Sequence, residues 1–217
     1  MPLYYSRAEA GERLAQKIPD WYCKPDTFVV GCSLNGMPVA EGLARALNVP
    51  LEYIAVCRIV APFEPEKTIG AVDDQGNETW HKEMVERYHA SVEFLKNSSK
   101  EAALEAQRRM KLFRPGRPPL NLYGKNVILT DDGTASGYTM LAAVGAARSY
   151  GAEKVIVAVP VGTEEGRRLL QPVADEVVHL YTPRILNPVR SFYQEFPMII
   201  DQDVVFLMER HGVSKSA

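Results

Sequence analysis

The chain has 217 residues, of which 46% are hydrophobic and 24% are charged, and its formal net charge is -2 at pH 7. This composition is that of a globular protein, and the length suits one α/β domain with appended pieces rather than two full domains. A net charge this small gives no general attraction to polyanions, so nucleic-acid binding would require a local basic patch. The sequence contains only a modest one, between Arg108 and Arg117.

No stretch of the sequence predicts a signal peptide or a membrane span. The three cysteines, Cys23, Cys32 and Cys57, have neither the spacing of a metal site nor that of a redox motif. Two of them lie in apolar runs typical of buried strands, which indicates reduced thiols and predicts a cytoplasmic protein.

The first part of the chain predicts a strand-helix-strand unit. After an amphipathic helix that opens at Ser6, residues Thr27 to Cys32 form an apolar run with the length of a buried strand. The turn Ser33 to Gly36 leads into a helix, and Leu51 to Cys57 follows as a second strand. The spacing suits a right-handed crossover, so the two strands are predicted to lie parallel in one sheet.

Residues 58–119 interrupt this alternation, and we interpret them as an insertion that forms a small hairpin and a helical hood. Prolines and glycines punctuate Val60 to Trp80, which predicts a loop and an antiparallel hairpin with its tip at Asp74 to Asn77. Residues from His81 to Leu112 favour helix, with a predicted break at Asn97 to Ser99.

Strand and helix patterns alternate again in the second half. The apolar runs typical of strands are Asn126 to Leu129, Lys154 to Val159 and Asp175 to Tyr181. A helix capped by Asp201 is predicted within a C-terminal extension, residues 182–217. The whole pattern predicts a single α/β domain: a doubly wound parallel sheet flanked by helices, whose ligands bind beyond the carboxyl ends of the strands.

The stretch after Asn126 to Leu129 is the strongest candidate site. Two carboxylates, Asp131 and Asp132, precede a loop without bulky side chains, namely Gly133, Thr134, Ala135, Ser136 and Gly137. Backbone amides of such a loop can close on an anion, and glycine can take a positive φ where needed. A helix that begins with Tyr138 and Thr139 adds unpaired amides and the positive end of its dipole, so a phosphate monoester is the expected ligand.

The two carboxylates need a different partner, because they would repel a phosphate. Sugar hydroxyls or a hydrated magnesium ion would satisfy Asp131 and Asp132. A turn and a helix cap explain these residues one by one, but not their combination after an apolar strand. The sequence here lacks the Gly-Lys-Ser/Thr of a Walker loop and the glycine spacing of the dinucleotide fingerprint.

The carboxylate pair, the small-residue loop and Ser136-Gly137-Tyr138-Thr139 closely resemble the 5-phosphoribosyl-1-pyrophosphate (PRPP) signature of the type I phosphoribosyltransferases. The resemblance extends over most of the chain, to a bacterial group of this family whose substrate is unsettled. Two further blocks that look like this group are Gly36 to Ala40 and Ser191 to Phe196.

The resemblance implies magnesium-dependent transfer of the phosphoribosyl group from PRPP to a nucleophile, usually a nitrogen, with release of pyrophosphate. At the matching positions, Asp131 and Asp132 would hold the ribose hydroxyls, directly or through Mg2+. Residues Gly133 through Thr139 would anchor the 5-phosphate. The residues that would take the pyrophosphate are Ser33, Leu34, Asn35 and Gly36.

One departure concerns the pyrophosphate turn, where this group usually has Pro-Arg-Gly-Gly. The chain has Leu34 at the position of the expected arginine. Loss of a charge-assisted contact to pyrophosphate typically costs about 1.5 to 3 kcal/mol. The departure motivates an alternative from a different class: a non-catalytic regulatory protein that senses PRPP or a nucleotide.

The acceptor is open among a purine, a pyrimidine, another nitrogen nucleophile and none. Arg58 is a candidate cation for the pyrophosphate, and Tyr181, Phe192 and Tyr193 are candidates for an aromatic shelf, with core packing as the equal alternative. The expected partners are PRPP and a small-molecule acceptor, without a membrane. A homodimer is also left open.

Overall fold

The computed structural model describes residues 2–184, 186 and 188–211. Helices and strands occur in the chain order α1 (Arg7–Lys17), β1 (Thr27–Gly31), α2 (Met37–Leu47), β2 (Leu51–Tyr53), β3 (Val56–Ala61), β4 (Glu64–Asp73), β5 (Glu78–Trp80), α3 (Lys82–Arg87), α4 (Val92–Phe113), β6 (Asn126–Thr130), α5 (Tyr138–Ser149), β7 (Lys154–Val161), α6 (Glu164–Leu170), β8 (Glu176–Tyr181) and α7 (Asp201–His211). Short 3-10 turns at Pro19–Trp21 and Val189–Phe192 lie in the connections.

The central sheet has five parallel strands in the order β2-β1-β6-β7-β8. β1 and β6 lie side by side, from the pair Thr27 and Asn126 to the pair Gly31 and Thr130. Because the two strands run in the same direction, the loops that follow them emerge next to each other at the carboxyl edge of the sheet.

Helices cover both faces of the central sheet, which confirms the predicted doubly wound α/β fold. On one face, α1, α2 and α7 pack together and bury Leu14, Leu43 and Val204. On the other face, α5 and α6 bury Met140 and Leu170 against the strands. Burying one side chain of this size stabilises the fold by about 1.5 to 3 kcal/mol, so these two layers hold the sheet and its edge loops in place.

A second, antiparallel sheet lies outside the central one, in the order β3-β4-β5. The predicted single strand from Leu51 to Cys57 is wrong, because this run is divided between β2 and β3. Ile54 donates its N–H to the Gly31 carbonyl at 3.1 Å, immediately before the chain enters the second sheet. The sequence conceals this division because the residues on both sides of it are buried. The hairpin tip predicted at Asp74 to Asn77 is confirmed, and a third strand extends the hairpin.

Helices α3 and α4 pack against the second sheet. The predicted break at Asn97 to Ser99 is wrong, since α4 runs through these residues without interruption. The helix begins after Ser91, whose hydroxyl accepts from the Phe94 N–H and caps the first turn. Ser99 is buried and donates to the Glu78 carboxylate of β5, so a residue that suggested a helix end is satisfied by the neighbouring sheet.

The C-terminal helix α7 begins at Asp201, but the prediction that Asp201 caps it is wrong. The Asp201 carboxylate pairs with Arg108 of α4 at 2.6 Å, while the Asp203 carboxylate accepts from the Ile200 N–H at 2.9 Å. Either Asp201 or Asp203 could accept from the free N–H groups at the helix start. Because the ion pair with α4 engages Asp201, Asp203 takes this role. Residues 185, 187 and 212–217 of the predicted extension lie outside the described residues.

Four arginines of the basic patch noted in the sequence form ion pairs with two glutamates. Its ion pairs join Arg108 and Arg109 to Glu105, and Arg114 and Arg117 to Glu52. These ion pairs reduce the positive charge that the patch offers to a polyanion. Of the free cysteines, two are buried, as their apolar surroundings predict. Within the described part of the chain, no helix combines the length and apolar character needed to cross a membrane.

Candidate functional site

A cleft of about 1010 Å³ opens at the carboxyl edge of the central sheet, beside the ends of β1 and β6. The turn after β1 and the loop after β6 both line it. Residues of β3, the β3-β4 turn and α4 form one wall, and the segment between β8 and α7 contributes another. The two loops that the sequence predicts to face each other therefore meet in one cleft.

The loop from Gly133 to Gly137, between β6 and α5, is anchored by its neighbours. Its Thr134 N–H donates to the Val161 carbonyl of β7 at 2.9 Å. The Thr163 hydroxyl, at the start of α6, donates to the Ala135 carbonyl at 2.5 Å. These contacts hold the loop from behind, and all five of its residues still line the cleft.

Helix α5 begins directly after Gly137, whose φ of 85° lies in the left-handed region that favours glycine. No side chain caps the first turn of α5, so its N-terminal amides and the positive end of its dipole are available at the cleft. Ser136, Tyr138 and Thr139 line the cleft at this point. This arrangement can bind an anion such as a phosphate group.

Asp131 and Asp132 follow β6, and their side chains differ in their hydrogen bonds and in how strongly the pKa is raised. The buried Asp131 carboxylate accepts from the Ser33 hydroxyl at 2.6 Å and from the Asp132 N–H at 2.8 Å. Burial raises the pKa of Asp131, although these hydrogen bonds oppose the shift. Burial raises the pKa of Asp132 well above its usual range, and the adjacent Asp131 carboxylate adds to this effect. A cation or hydroxyl donor at this pair would relieve the cost of holding both charges.

The turn Ser33 to Gly36, between β1 and α2, lies against the carboxylate pair. The Ser33 hydroxyl joins the two segments, because it accepts from the Gly36 N–H at 3.0 Å and donates to Asp131. A Cβ atom on Gly36 would lie 2.8 Å from the Asp131 Cα, so the close approach requires glycine. Leu34 packs against the apolar core on one side and lines the cleft on the other.

Two further side chains support the site. The Arg7 guanidinium of α1 is buried and donates to the Asn35 Oδ1 at 3.0 Å. The Tyr193 hydroxyl donates to the Asp132 carbonyl at 2.5 Å. No motif marks Arg7 in the sequence; its only signal is that it shares the apolar stripe of α1 with Ala10 and Leu14.

A comparison with known proteins decides the family. Residues 5–184 match the family model described as the phosphoribosyl transferase domain. The chain belongs to the phosphoribosyltransferase family. The match spans both strand-end segments of the cleft, and it confirms the resemblance drawn from the signature.

Two named relatives agree with this assignment, and a solved structure shares the fold. Two proteins of Mycobacterium tuberculosis, from strains CDC 1551 / Oshkosh and H37Rv, are named provisionally as phosphoribosyl transferases and are 34% identical to this chain over 210 residues. The alignment covers 97% of this chain and 47% of each relative, so the chain spans about half the length of these curated relatives. The crystal structure of TT1426 from Thermus thermophilus has a TM-score of 0.77 and 29% identity, and covers 98% of this chain and 100% of that chain.

The residues predicted as cationic help or as an aromatic shelf are dispersed. Arg58 is exposed on β3 and lines the cleft. The rings of Tyr181 and Phe192 contact each other with centroids 5.9 Å apart, while Tyr193 is buried against Tyr4. None of these three rings is among the described residues that line the cleft, so the structure gives the predicted aromatic shelf no support. Tyr193 instead holds the backbone of Asp132.

The wall formed by β3 and α4 combines apolar and charged groups. Phe94 of α4 lines it, as does Phe63 in the β3-β4 turn, whose side chain is fully exposed. Arg109 is partly buried there and pairs with Glu105 at 2.7 Å. This wall offers an aromatic surface beside hydrogen-bonding groups, whereas the loop after β6 offers mainly backbone amides.

Proposed function

We propose that this member of the phosphoribosyltransferase family binds PRPP with Mg2+ and transfers the phosphoribosyl group to a nitrogenous acceptor, releasing pyrophosphate. The observation that carries the proposal is the convergence in one cleft of an uncapped helix terminus, a second strand-end turn and a carboxylate pair. PRPP has a matching set of groups, with a phosphate at one end, a pyrophosphate at the other and ribose hydroxyls between them.

Residues Gly133 through Thr139 are the proposed anchor for the 5-phosphate. The uncapped first turn of α5 supports this role, because its amides can donate to phosphate oxygens. The hydroxyls of Ser136 and Thr139 add donors. Each hydrogen bond to a charged group is worth about 1.5 to 3 kcal/mol, so a few of them suffice to orient the ligand.

Asp131 and Asp132 are the proposed partners of the ribose hydroxyls and of Mg2+. No group of three or more histidine, cysteine or acidic side chains among the described residues could hold a metal ion by itself. A pair of carboxylates fits Mg2+ nevertheless, because this ion keeps several waters and commonly takes one or two carboxylates together with substrate phosphates. When bound, Mg2+ would neutralise charge on the pyrophosphate oxygens as they leave.

The turn Ser33, Leu34, Asn35, Gly36 is the proposed pyrophosphate site. The Gly36 N–H already donates to Ser33 at 3.0 Å, so an anion would rely on other amides of the turn and on the Asn35 side chain. Arg58 is the proposed cationic contribution from the β3 wall, since it is exposed and lines the same cleft.

In the proposed reaction the acceptor nitrogen forms a bond to the anomeric carbon as the bond from that carbon to pyrophosphate breaks. The electron pair leaves with pyrophosphate, and the nitrogen gives up its proton to the departing anion. Positive charge develops on the ribose in between, and the Asp131-Asp132 pair is the proposed source of the negative charge that stabilises it. The protein's main contribution is to fix both phosphate ends and exclude water.

The wall of residues 58–119 is the proposed acceptor hood. Its exposed Phe63 and its Phe94 could cover a planar base, and Arg109 and Glu105 could meet polar ring atoms. A nitrogenous heterocycle fits these groups better than an aliphatic nucleophile does. The segment that carries Phe196 would close the cleft on another side.

A second candidate, a PRPP-sensing or nucleotide-sensing regulator without turnover, is favoured by Leu34. This side chain is apolar and packs partly against the core, which is unusual for a group expected to meet pyrophosphate. Binding in such a protein would be retained while pyrophosphate release is absent.

Isothermal titration with PRPP and Mg2+ tests the proposal. The variant Asp131→Asn with Asp132→Asn should bind at least a hundredfold more weakly, because two charge-assisted contacts worth about 3 kcal/mol or more together are removed. Asp20→Asn, an exposed acid outside the cleft, is the matched control. Wild-type binding no tighter than that of the double variant would contradict the proposal. A screen of nucleobases for PRPP-dependent pyrophosphate release then separates the transferase from the regulator.

A further inference from the structure

Arg7, the first residue of α1, is 2% exposed, although arginine is rarely buried without a partner. Its guanidinium donates to the Asn35 Oδ1 at 3.0 Å and to the Pro197 carbonyl. It also lies over the Phe196 ring, 4.1 Å from the centroid. Asn35 and Phe196 both line the cleft, so Arg7 stands directly behind the cleft surface.

The charges around Arg7 belong to the site. Burial lowers the pKa of Arg7, and the carboxylates of Asp132 and Asp131 oppose this shift. The turn from Ser33 to Gly36 contains no cationic side chain of its own, because Leu34 is apolar. Arg7 is therefore a positive charge held in contact with a turn that lacks one.

We propose that Arg7 is the positioning residue of the pyrophosphate turn: from α1 it fixes Asn35 toward the cleft and supplies the positive charge that Leu34 does not. This inference rests on the proposed PRPP function and deepens it. Burying a guanidinium is costly unless its hydrogen bonds and charge are compensated. Here the Asn35 amide oxygen and the Pro197 carbonyl accept its hydrogen bonds, and the carboxylate pair offsets part of the cost of burial. An anion bound in the turn would add to that compensation and would gain affinity from it.

Titration of magnesium pyrophosphate, followed by PRPP, into the whole chain tests the inference. Arg7→Gln keeps hydrogen-bonding capacity without charge, and binding should weaken about tenfold or more. Arg7→Lys should recover part of the affinity. Arg13→Gln, on the same helix but paired with Glu9 at the surface, is the matched control and should bind like the wild type.

A rescue experiment separates charge from structural support. Adding Leu34→Arg to Arg7→Gln should restore most of the lost affinity, because a cation is returned to the same turn. Loss of binding in Arg7→Gln with no recovery in the double variant would show that Arg7 only supports the fold. If the double variant does not fold, Arg7→Lys decides: it should bind magnesium pyrophosphate more tightly than Arg7→Gln, and equal weakening in both variants would overturn the inference.

The outcomes also distinguish this inference from the proposed function. A wild-type chain that binds neither magnesium pyrophosphate nor PRPP contradicts the proposed function itself. A wild-type chain that binds both, with Arg7→Gln binding within about twofold of it, contradicts only the role of Arg7, since twofold corresponds to less than a typical charged hydrogen bond.

Discussion

The loop after β6 and the turn after β1 occupy equivalent positions in the fold. Each connects a buried parallel strand to a helix, and the two strands are hydrogen-bonded neighbours. The loop Gly133 to Gly137 leaves the first turn of α5 without a side-chain cap. The turn Ser33 to Gly36 instead uses the Ser33 hydroxyl to bind its own Gly36 N–H. The loop after β6 therefore leaves its backbone N–H donors available, whereas the turn after β1 has already used the Gly36 N–H.

The two segments also differ in where their support comes from. The loop after β6 is held by backbone and hydroxyl contacts from β7 and α6, which carry no charge. The turn after β1 is held by charged groups, Asp131 through Ser33 and Arg7 through Asn35. The carboxyl edge of a parallel sheet thus places both segments in one cleft. The hydrogen-bond donors and charges that each segment presents there depend on contacts from outside its strand-helix unit.

The largest effect is expected for Gly137→Val, which tests the shape of the loop after β6. A β-branched side chain at a φ of 85° is strained, and a Cβ atom would also lie 3.1 Å from the Gly166 Cα. We expect a loss of about 3 kcal/mol in the free energy of unfolding, the upper range for one strained residue, together with loss of phosphate binding. Chemical denaturation and phosphate titration measure both. A variant as stable as the wild type would contradict the strain argument.

Gly36→Ala tests the close approach of the turn to Asp131. The added methyl group would lie 2.8 Å from the Asp131 Cα, so the two segments must separate. The expected destabilisation is about 2 kcal/mol, the scale of overpacking, with weaker binding of PRPP. Gly145→Ala in α5 is the matched control, because nothing lies within 4 Å of its added methyl group. That control should stabilise the protein by about 0.5 to 1 kcal/mol through helix propensity, and equal effects of the two changes would refute the packing argument.

Asp132→Asn tests the cost of the charged pair. The folded-state pKa of Asp132 is raised above its ordinary value of 3.8, so the folded chain holds this proton more tightly than the unfolded chain. Its contribution to stability is therefore greatest at low pH and is lost as the pH rises through the raised pKa. The variant should exceed the wild type by about 1 kcal/mol near pH 8, with the difference shrinking toward about pH 4. Urea denaturation across this range checks the trend. A wild type that is more stable than the variant near pH 8 would contradict it.

The smallest effect is expected for Ser136→Ala, which removes one hydroxyl from a loop proposed to bind phosphate mainly through its backbone amides. The affinity for PRPP should fall by about fivefold, equivalent to roughly 1 kcal/mol for a single hydrogen bond. Ser191→Ala is a control, since its hydroxyl donates to the Pro188 carbonyl at 2.8 Å. A loss above about a hundredfold would mean that this side chain, rather than the backbone, carries the phosphate contact.

The sequence by itself determined the parallel α/β fold and the phosphoribosyltransferase signature. These features depend on local information: apolar runs of strand length, and small residues between a strand and a helix. Asp131, Asp132 and the loop to Gly137 could be located for that reason, and the turn at Gly36 followed from its place after β1. Their roles in binding PRPP and Mg2+, and the division into core, hood and extension, stay predictions.

Only the tertiary structure decided the contacts made between distant segments. The run Leu51 to Cys57 is divided between two sheets, although all of it is apolar enough for one strand. Helix α4 continues through Ser99, because burial and a hydrogen bond to another element outweigh the local preference for a break. The tertiary structure turned Tyr193 away from the cleft and onto the backbone of Asp132. It also brought Arg7 behind Asn35, 28 positions away in sequence. A single sequence records which residues are apolar or charged, but the partner that stabilises a buried charge is fixed only when helices and strands pack.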